Sequence, residues 1–400
     1  MQRLIEALSA RADDLVALRH DIHRHPEMGF EERRTAALVA ARLRDWGLAV
    51  QEGLAGTGVI GTLKGRRPGQ RAIALRADMD ALPIQEATDL PYASANPGVM
   101  HACGHDGHTT MLLGAARHLA ENPDFAGTVH FIFQPAEEGL GGGRRMVEEG
   151  LFERFPVDAV FGLHNEPGLA LGRFGIRPGP MLANVDTWSV TFRGTGGHGA
   201  VPHRATDPTQ PMAAFIGSLQ SVIGRNLPAR ETGVLSVGHV AAGDARAPNV
   251  IPAEVRVSGT GRSFQPEVRG IMGRRLRELA EALAIAHGCT AEIEYRHDYP
   301  ALVNTPEEVA LAARAAGALA GAETVDADYP PITAGEDFAY MLQERPGAFM
   351  LVGNGVAEDG SFHHVHTPKF DFNDALIPIG AAYWVSLVAH ALGAAGGDGA

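Results

Sequence analysis

Lysine is nearly missing: Lys64 and Lys369 stand alone among 34 basic residues, against 47 acidic ones, leaving the 400-residue chain a formal charge of −13. No global basic field exists to gather phosphate backbones or an anionic membrane surface, so neither nucleic acid nor a membrane is an expected partner. Cysteine is as scarce. Cys103 and Cys289 cannot build a disulfide framework, and their number suits a reducing compartment, so the expected location is cytoplasmic. Long apolar runs are absent too: the best stretch, residues 381–395, falls short of the roughly 18 residues a spanning helix needs and carries His390. The first residues, MQRLIEALSARADD, alternate apolar and charged side chains at helical spacing and lack the apolar core of a signal peptide. Glycine (49) and proline (25) stay below the combined share of about 25–30% that marks low-complexity chains. What remains is a globular composition, 45% apolar and 20% charged, long enough for two or three domains at roughly 150 residues each.

Histidine is the residue in excess, with 18 copies, several crowded into short polar segments. Along the chain the pattern is helical over residues 2–46, in two segments separated by HRHPEMGF, with Gly47 as a terminator. Short apolar runs bounded by Gly, Pro and Asp follow at 57–63, 71–77, 127–133 and 157–163, with an amphipathic helical pattern at 107–119. Continuous apolar strands alternating with helices predict an α/β fold with a largely parallel sheet. Between 186 and 297 the predicted order is β-α-β-β-α-β, that of a ferredoxin-like unit. The α/β pattern then resumes with a helix at 306–319, a strand at 348–353 and a last helix from Pro378. The expected organisation is therefore a catalytic domain in two parts, 1–185 and 298–400, interrupted by an inserted α+β domain at 186–297. No internal repeat is visible.

Ligands bind outside the carboxyl ends of the strands in open α/β sheets, which directs attention to the polar residues just after each apolar run. There lie Asp78 and Asp80, Glu137 and Glu138, His164, and the loop FHHVHTP; a fifth segment, HACGHDGH, opens a helix. Cys103 and His105 on a glycine-rich turn suit zinc or a similar transition metal. Alone, that segment is also compatible with a helix entry holding a buried Cys, or with a nucleophilic Cys-His pair. The Glu137-Glu138 pair is a common feature of solvated helix faces, but after a buried strand and a proline its two carboxylates point apart, so one can bind metal while the other acts as a base. Cys103, His105, Glu138, His164 and one histidine of the loop make five donors from four segments at one sheet edge. Five exceed the needs of one tetrahedral ion, which predicts two divalent ions, Zn or Mn first, with Co and Ni compatible. The H-E-x-x-H signature of one-metal zincins is absent.

RADMDALPIQE, MHACGHDGHTTMLLGAA, QPAEEGLGGGRRMVEEG, GLHNEPG, GTGGHGAVPH, APNVIP, GTGRSF, TAGEDFAYML and VHTPKFDFND, taken in order along the chain, resemble the amidohydrolase branch of metallopeptidase family M20. Hippurate hydrolases, aminoacylases and indole-acetyl-amino-acid hydrolases belong to that branch. The resemblance implies metal ligands at Cys103, His105, Glu138, His164 and His366, the last from its His-Thr-Pro context, and leaves His363 and His364 outside the set. It implies that Glu137 takes a proton from the attacking water and later hands one to the leaving amine, and that Asp80 orients a ligand. Asp78 and Asp106 are compatible with either a supporting or a turn role. In the inserted domain, expected to act as a lid and to form a homodimer, the resemblance implies that His198 stabilises the oxyanion. There too it implies that Asn249 and Arg262 hold the free carboxylate of an N-acyl amino acid. Glu336 and Asp337 recur near the site in such proteins without a role that their chemistry dictates. A dipeptidase on the same scaffold and a non-catalytic binding homologue are the competing expectations.

Overall fold

The computed structural model describes residues 2–357 and 359–393. It divides into two compact units, the smaller comprising Leu182–Ala301 with Pro331–Glu336 and the larger the rest. Segment 331–336, which the sequence places in the catalytic flank, packs instead with the smaller unit. Ala183 N–H donates to the carbonyls of Ile332 (3.1 Å) and Ala334 (2.9 Å), fixing it there.

The larger unit is built on an eight-stranded sheet. Its middle is parallel: Ala126–Gln134, Arg67–Asp78, Ala159–Pro167 and Gly347–Gly355 lie side by side in that order. These strands read as unbroken apolar runs because helices cover them, as parallel sheets require. Gly58–Lys64 and then Ala49–Leu54 extend one side antiparallel. The outermost of these shows no apolar run in the sequence because AVQEGL is an edge strand whose side chains are mostly exposed. The N-terminal region forms three helices, not two, at Gln2–Ser9, Ala12–Arg24 and Arg33–Asp45. Helix His105–Glu121 starts two residues earlier than its periodicity suggests, and 13 of its 17 residues are buried. Its first two residues, His105 and Asp106, are polar yet buried, so the apolar periodicity does not reach them. It packs against the closing helix Leu376–Leu392 through small residues: Met111 fills the space a Cβ at Gly380 would take. No helix among the described residues is long and apolar enough to cross a membrane; the last two residues of the 381–395 stretch lie outside them.

In the smaller unit four antiparallel strands lie in the order Gly233–Ala242, Glu254–Ser263, Val185–Arg193, Thr290–Tyr299. Helices Thr209–Ser218, Gln220–Asn226 and Pro266–Ala286 supply its separate core. Alternation along Val185–Arg193 buries Trp188, Val190 and Phe192 against Phe215, Met272 and Leu276.

Candidate metal centre and active site

Glu137 and Glu138 follow the end of strand Ala126–Gln134, His164 lies within strand Ala159–Pro167, His366 lies in the loop after Gly347–Gly355, and Cys103 precedes helix His105–Glu121. The HACGHDGH turn passes through Gly104 at φ 93°, a left-handed conformation that favours glycine. A Cβ there would also stand 2.6 Å from the Asn165 amide nitrogen. The turn brings Cys103 Sγ to 3.4 Å from His164 Nε2, on the strand Ala159–Pro167. After strand Ala126–Gln134 the backbone turns at Ala136, and the two glutamates that follow take different partners. Glu138 Oε1 lies 3.1 Å from His366 Nε2 and 3.9 Å from His105 Nε2. Glu137 Oε1 instead accepts the Asp337 N–H at 3.4 Å. His366 N–H donates to Ala102 O at 2.7 Å, tying the C-terminal loop to the cysteine turn.

Overlapping donor groups result, among them Cys103-His105-His164, Cys103-Glu138-His366 and His105-Glu137-Glu138, each with its donor atoms within 4.8 Å of one another. Asp80 braces two of these donors, His105 and Glu138, at once. One oxygen lies 3.2 Å from His105 Nδ1 and the other accepts the Glu138 N–H at 2.9 Å. In its neutral form His105 would keep its proton on Nδ1, against Asp80, and present Nε2 as a lone pair; Nε2 is buried without a hydrogen-bond partner. His164 does the same, since its Nδ1 is anchored on Asn165 O at 2.7 Å.

The charges around these atoms are unbalanced in a way a cation corrects. Burial pushes the His105 imidazolium down, yet Asp78, Asp80 and Glu138 outweigh it and lift the ring to about 10. Burial, with Glu138, Glu137 and Asp78, pushes the Cys103 thiol well up. Left to itself the cluster holds protons on its best ligands, whereas divalent ions would release both and meet an orphaned imidazole, a thiolate and carboxylates. The donor set fits soft-to-borderline transition metals.

Residues 74–390 match the model of Peptidase family M20/M25/M40. The chain belongs to this family. It is 39% identical to the hippurate hydrolase of Campylobacter jejuni, over 92% of this chain and 94% of that protein. It is 38% identical to the N-acetylcysteine deacetylase of Bacillus subtilis, over 93% and 95%. The fold superposes on a Bacillus subtilis structure described as a dinuclear metal binding peptidase of family M20, with a TM-score of 0.81 and 34% identity over 95% and 98% of the two chains.

Other M20 residues were missed or left without a role in the sequence, and the structure supplies their partners. His108 sits between Asp78 Oδ1 (2.7 Å) and the Asn165 backbone N–H (3.0 Å), so it braces the site and offers no free lone pair. Asn165 also donates to Cys103 O at 2.7 Å. Asp78 is spoken for: burial would raise it, but His105, Arg76 and His108 hold it well below the carboxylate range. Asp337 accepts from Gln134 Nε2 (2.7 Å), Gly143 N–H (2.7 Å) and Arg76 Nη2 (3.3 Å) while its own N–H reaches Glu137. The signal available was the AGEDF motif, whose partners lie some 200 residues away. Asp106 turns from the cluster towards His23 Nδ1 at 2.9 Å. His363 and His364 are exposed, His364 edge-on to Phe362, and neither is in a donor group among the described residues.

His198, Asn249 and Arg262 belong to the smaller unit. His198 pairs with Val250 in a two-stranded ribbon, exposed, with the Ala200 N–H donating to its Nδ1 at 3.1 Å. With Nδ1 accepting, a neutral ring carries its proton on Nε2 as a donor. Asn249 is exposed beside it, its carbonyl accepting the Gly199 N–H at 2.7 Å. Arg262 is half-buried and donates to Gly261 O at 2.8 Å.

Proposed function

We propose that this M20 chain is a two-metal amidohydrolase that hydrolyses the amide of N-acyl amino acids, hippurate-like or N-acetyl, to a carboxylic acid and a free amino acid. The observation that carries the reading is the division of labour at Glu137-Glu138. Glu138 shares a donor group with Cys103 and His366, whereas Glu137, grouped only with His105 and Glu138 among these donors, accepts the Asp337 N–H. Cys103, His105, Glu138, His164 and His366 would hold two divalent ions, Zn or Mn first, Co or Ni next, and Cys103 shared by two donor groups suits a pair of neighbouring ions. When bound, such ions polarise a carbonyl and acidify water. Glu137 takes the proton of the attacking water as the C–O bond forms, then delivers it to the nitrogen as the C–N bond breaks. Asp80 keeps His105 and Glu138 aimed throughout. For His198 we propose donation from Nε2 to the oxyanion, and for Asn249 and Arg262 recognition of the substrate carboxylate.

The names of the two relatives above agree with acylated amino acids as the substrate class. A thiol ligand requires reduced cysteine, which favours a cytoplasmic location. The edge strand Gly233–Ala242, with Val237 and Val240 exposed, is a fitting surface for homodimerisation through the inserted unit.

Amino-acid release from N-acetyl, N-benzoyl and indole-acetyl amino acids, beside free dipeptides, tests the reading in metal-reconstituted protein. Acylated substrates are expected to turn over at least about tenfold faster than dipeptides, a difference of about 1.4 kcal/mol at the transition state. Faster cleavage of dipeptides would move the assignment to a dipeptidase. Silence on every substrate would favour a binding protein.

A further inference from the structure

We infer that Glu32 is a positioning residue for Glu137, acting through the backbone of Ala136; the inference rests on the amidohydrolase reading above. Ala136 stands at φ 54°, in the left-handed region that residues with a Cβ rarely adopt. Ala136 immediately precedes Glu137 at the end of strand Ala126–Gln134, so the turn there sets where the backbone of the base stands. Such a conformation persists only when its surroundings hold it. Glu32 is fully buried at the entrance of helix Arg33–Asp45, and its Oε1 accepts the Ala136 N–H at 2.8 Å. Its Oε2 accepts the Thr57 hydroxyl at 2.6 Å. From the other side the Gly142 N–H donates to Ala136 O at 2.9 Å, and a Cβ at Gly142 would lie 1.7 Å from Pro135 O. Both polar backbone groups of Ala136 are therefore clamped, one of them by a side chain from a distant helix.

Glu32 is an expensive choice for a merely structural tie. No cation offsets its charge among the described residues, and burial, helped by Asp80, pushes its carboxyl up to about 7 against the pull of Thr57 and the backbone donors. A carboxyl kept in the interior on hydrogen bonds alone costs stability unless its geometry is needed.

Three variants separate positioning from bulk stability. Glu32→Ala removes both hydrogen bonds. Glu32→Gln keeps an oxygen for the Ala136 N–H and turns its amide to the Thr57 oxygen. Thr57→Val removes only the Thr57 bond. With an N-acyl amino acid that the wild type cleaves, Glu32→Ala is expected to lose about 10- to 100-fold in kcat, with KM within about threefold and metal content unchanged. Glu32→Gln and Thr57→Val should stay within about threefold of wild type in kcat. Hydrogen–deuterium exchange of peptides spanning residues 134–141 gives a readout independent of substrate, and should accelerate in Glu32→Ala but not in Glu32→Gln. Wild-type kcat or unchanged exchange in Glu32→Ala would overturn the proposal, as would a Glu32→Gln or Thr57→Val variant as impaired as Glu32→Ala. A silent wild type would sink the amidohydrolase reading instead, leaving the exchange comparison to judge Glu32.

Discussion

Glu137→Gln is expected to lower kcat about 10²- to 10⁴-fold while metal content stays at the wild-type level. The amide keeps the size and hydrogen-bonding reach of the carboxylate at a buried position but cannot take a proton at neutral pH. Because the same group is assigned both transfers, from water and to the leaving nitrogen, neither has a substitute. Retained metal separates this loss from damage to the donor set: Glu138, one residue on, carries the contacts to His105 and His366. Steady-state kinetics with metal analysis on the same samples checks it. A variant within about tenfold of wild-type kcat would remove Glu137 from the role of base.

Asp106→Ala is expected to cost about 3 kcal/mol of stability, the scale set by breaking one partner out of a buried ionic group. Arg19, His23 and Asp106 are all fully buried. Asp106 Oδ2 lies 2.9 Å from His23 Nδ1 and 3.5 Å from Arg19 Nε, so its removal leaves two cations with less compensation, although Asp371 and Asp374 still face Arg19. Burial pushes His23 down, but Asp106 and Glu86 outweigh it and lift the ring to about 9. A raised value in the folded state contributes stability fully below the unfolded value of about 6.5, and loses it as pH climbs towards the folded one. The deficit of Asp106→Ala should therefore be largest near pH 6 and shrink above about pH 9, where His23 is neutral in the wild type too. Urea midpoints at the two pH values read this directly. A variant within about 0.5 kcal/mol of wild type at pH 6 would show that the network contributes little.

Residues whose chemistry is concentrated in sequence were legible before any fold was known. Cys103 and His105 sit two apart, Glu137 and Glu138 are adjacent, and the strand runs before them announce a sheet edge. The supports were not legible, because their meaning depends on distance along the chain being erased in space. Asp337 reaches Gln134 and Gly143 across about 200 residues, and Glu32 reaches Ala136 across 104. Edge strand Ala49–Leu54 escaped for a different reason: with one side open to water it needs no apolar run. Segment 331–336 escaped because its pairing with Leu182 and Ala183 is made by backbone groups, which any sequence carries.

The most direct test of the account is hydrolysis of an N-acyl amino acid by chelator-stripped protein as a divalent metal is added back. The account predicts negligible release of amino acid at the start, recovery that saturates near two equivalents of metal per chain, and equal yields of carboxylic acid and amino acid. Full turnover in the stripped protein, or recovery unaffected when Cys103 and His105 are replaced together, would contradict it.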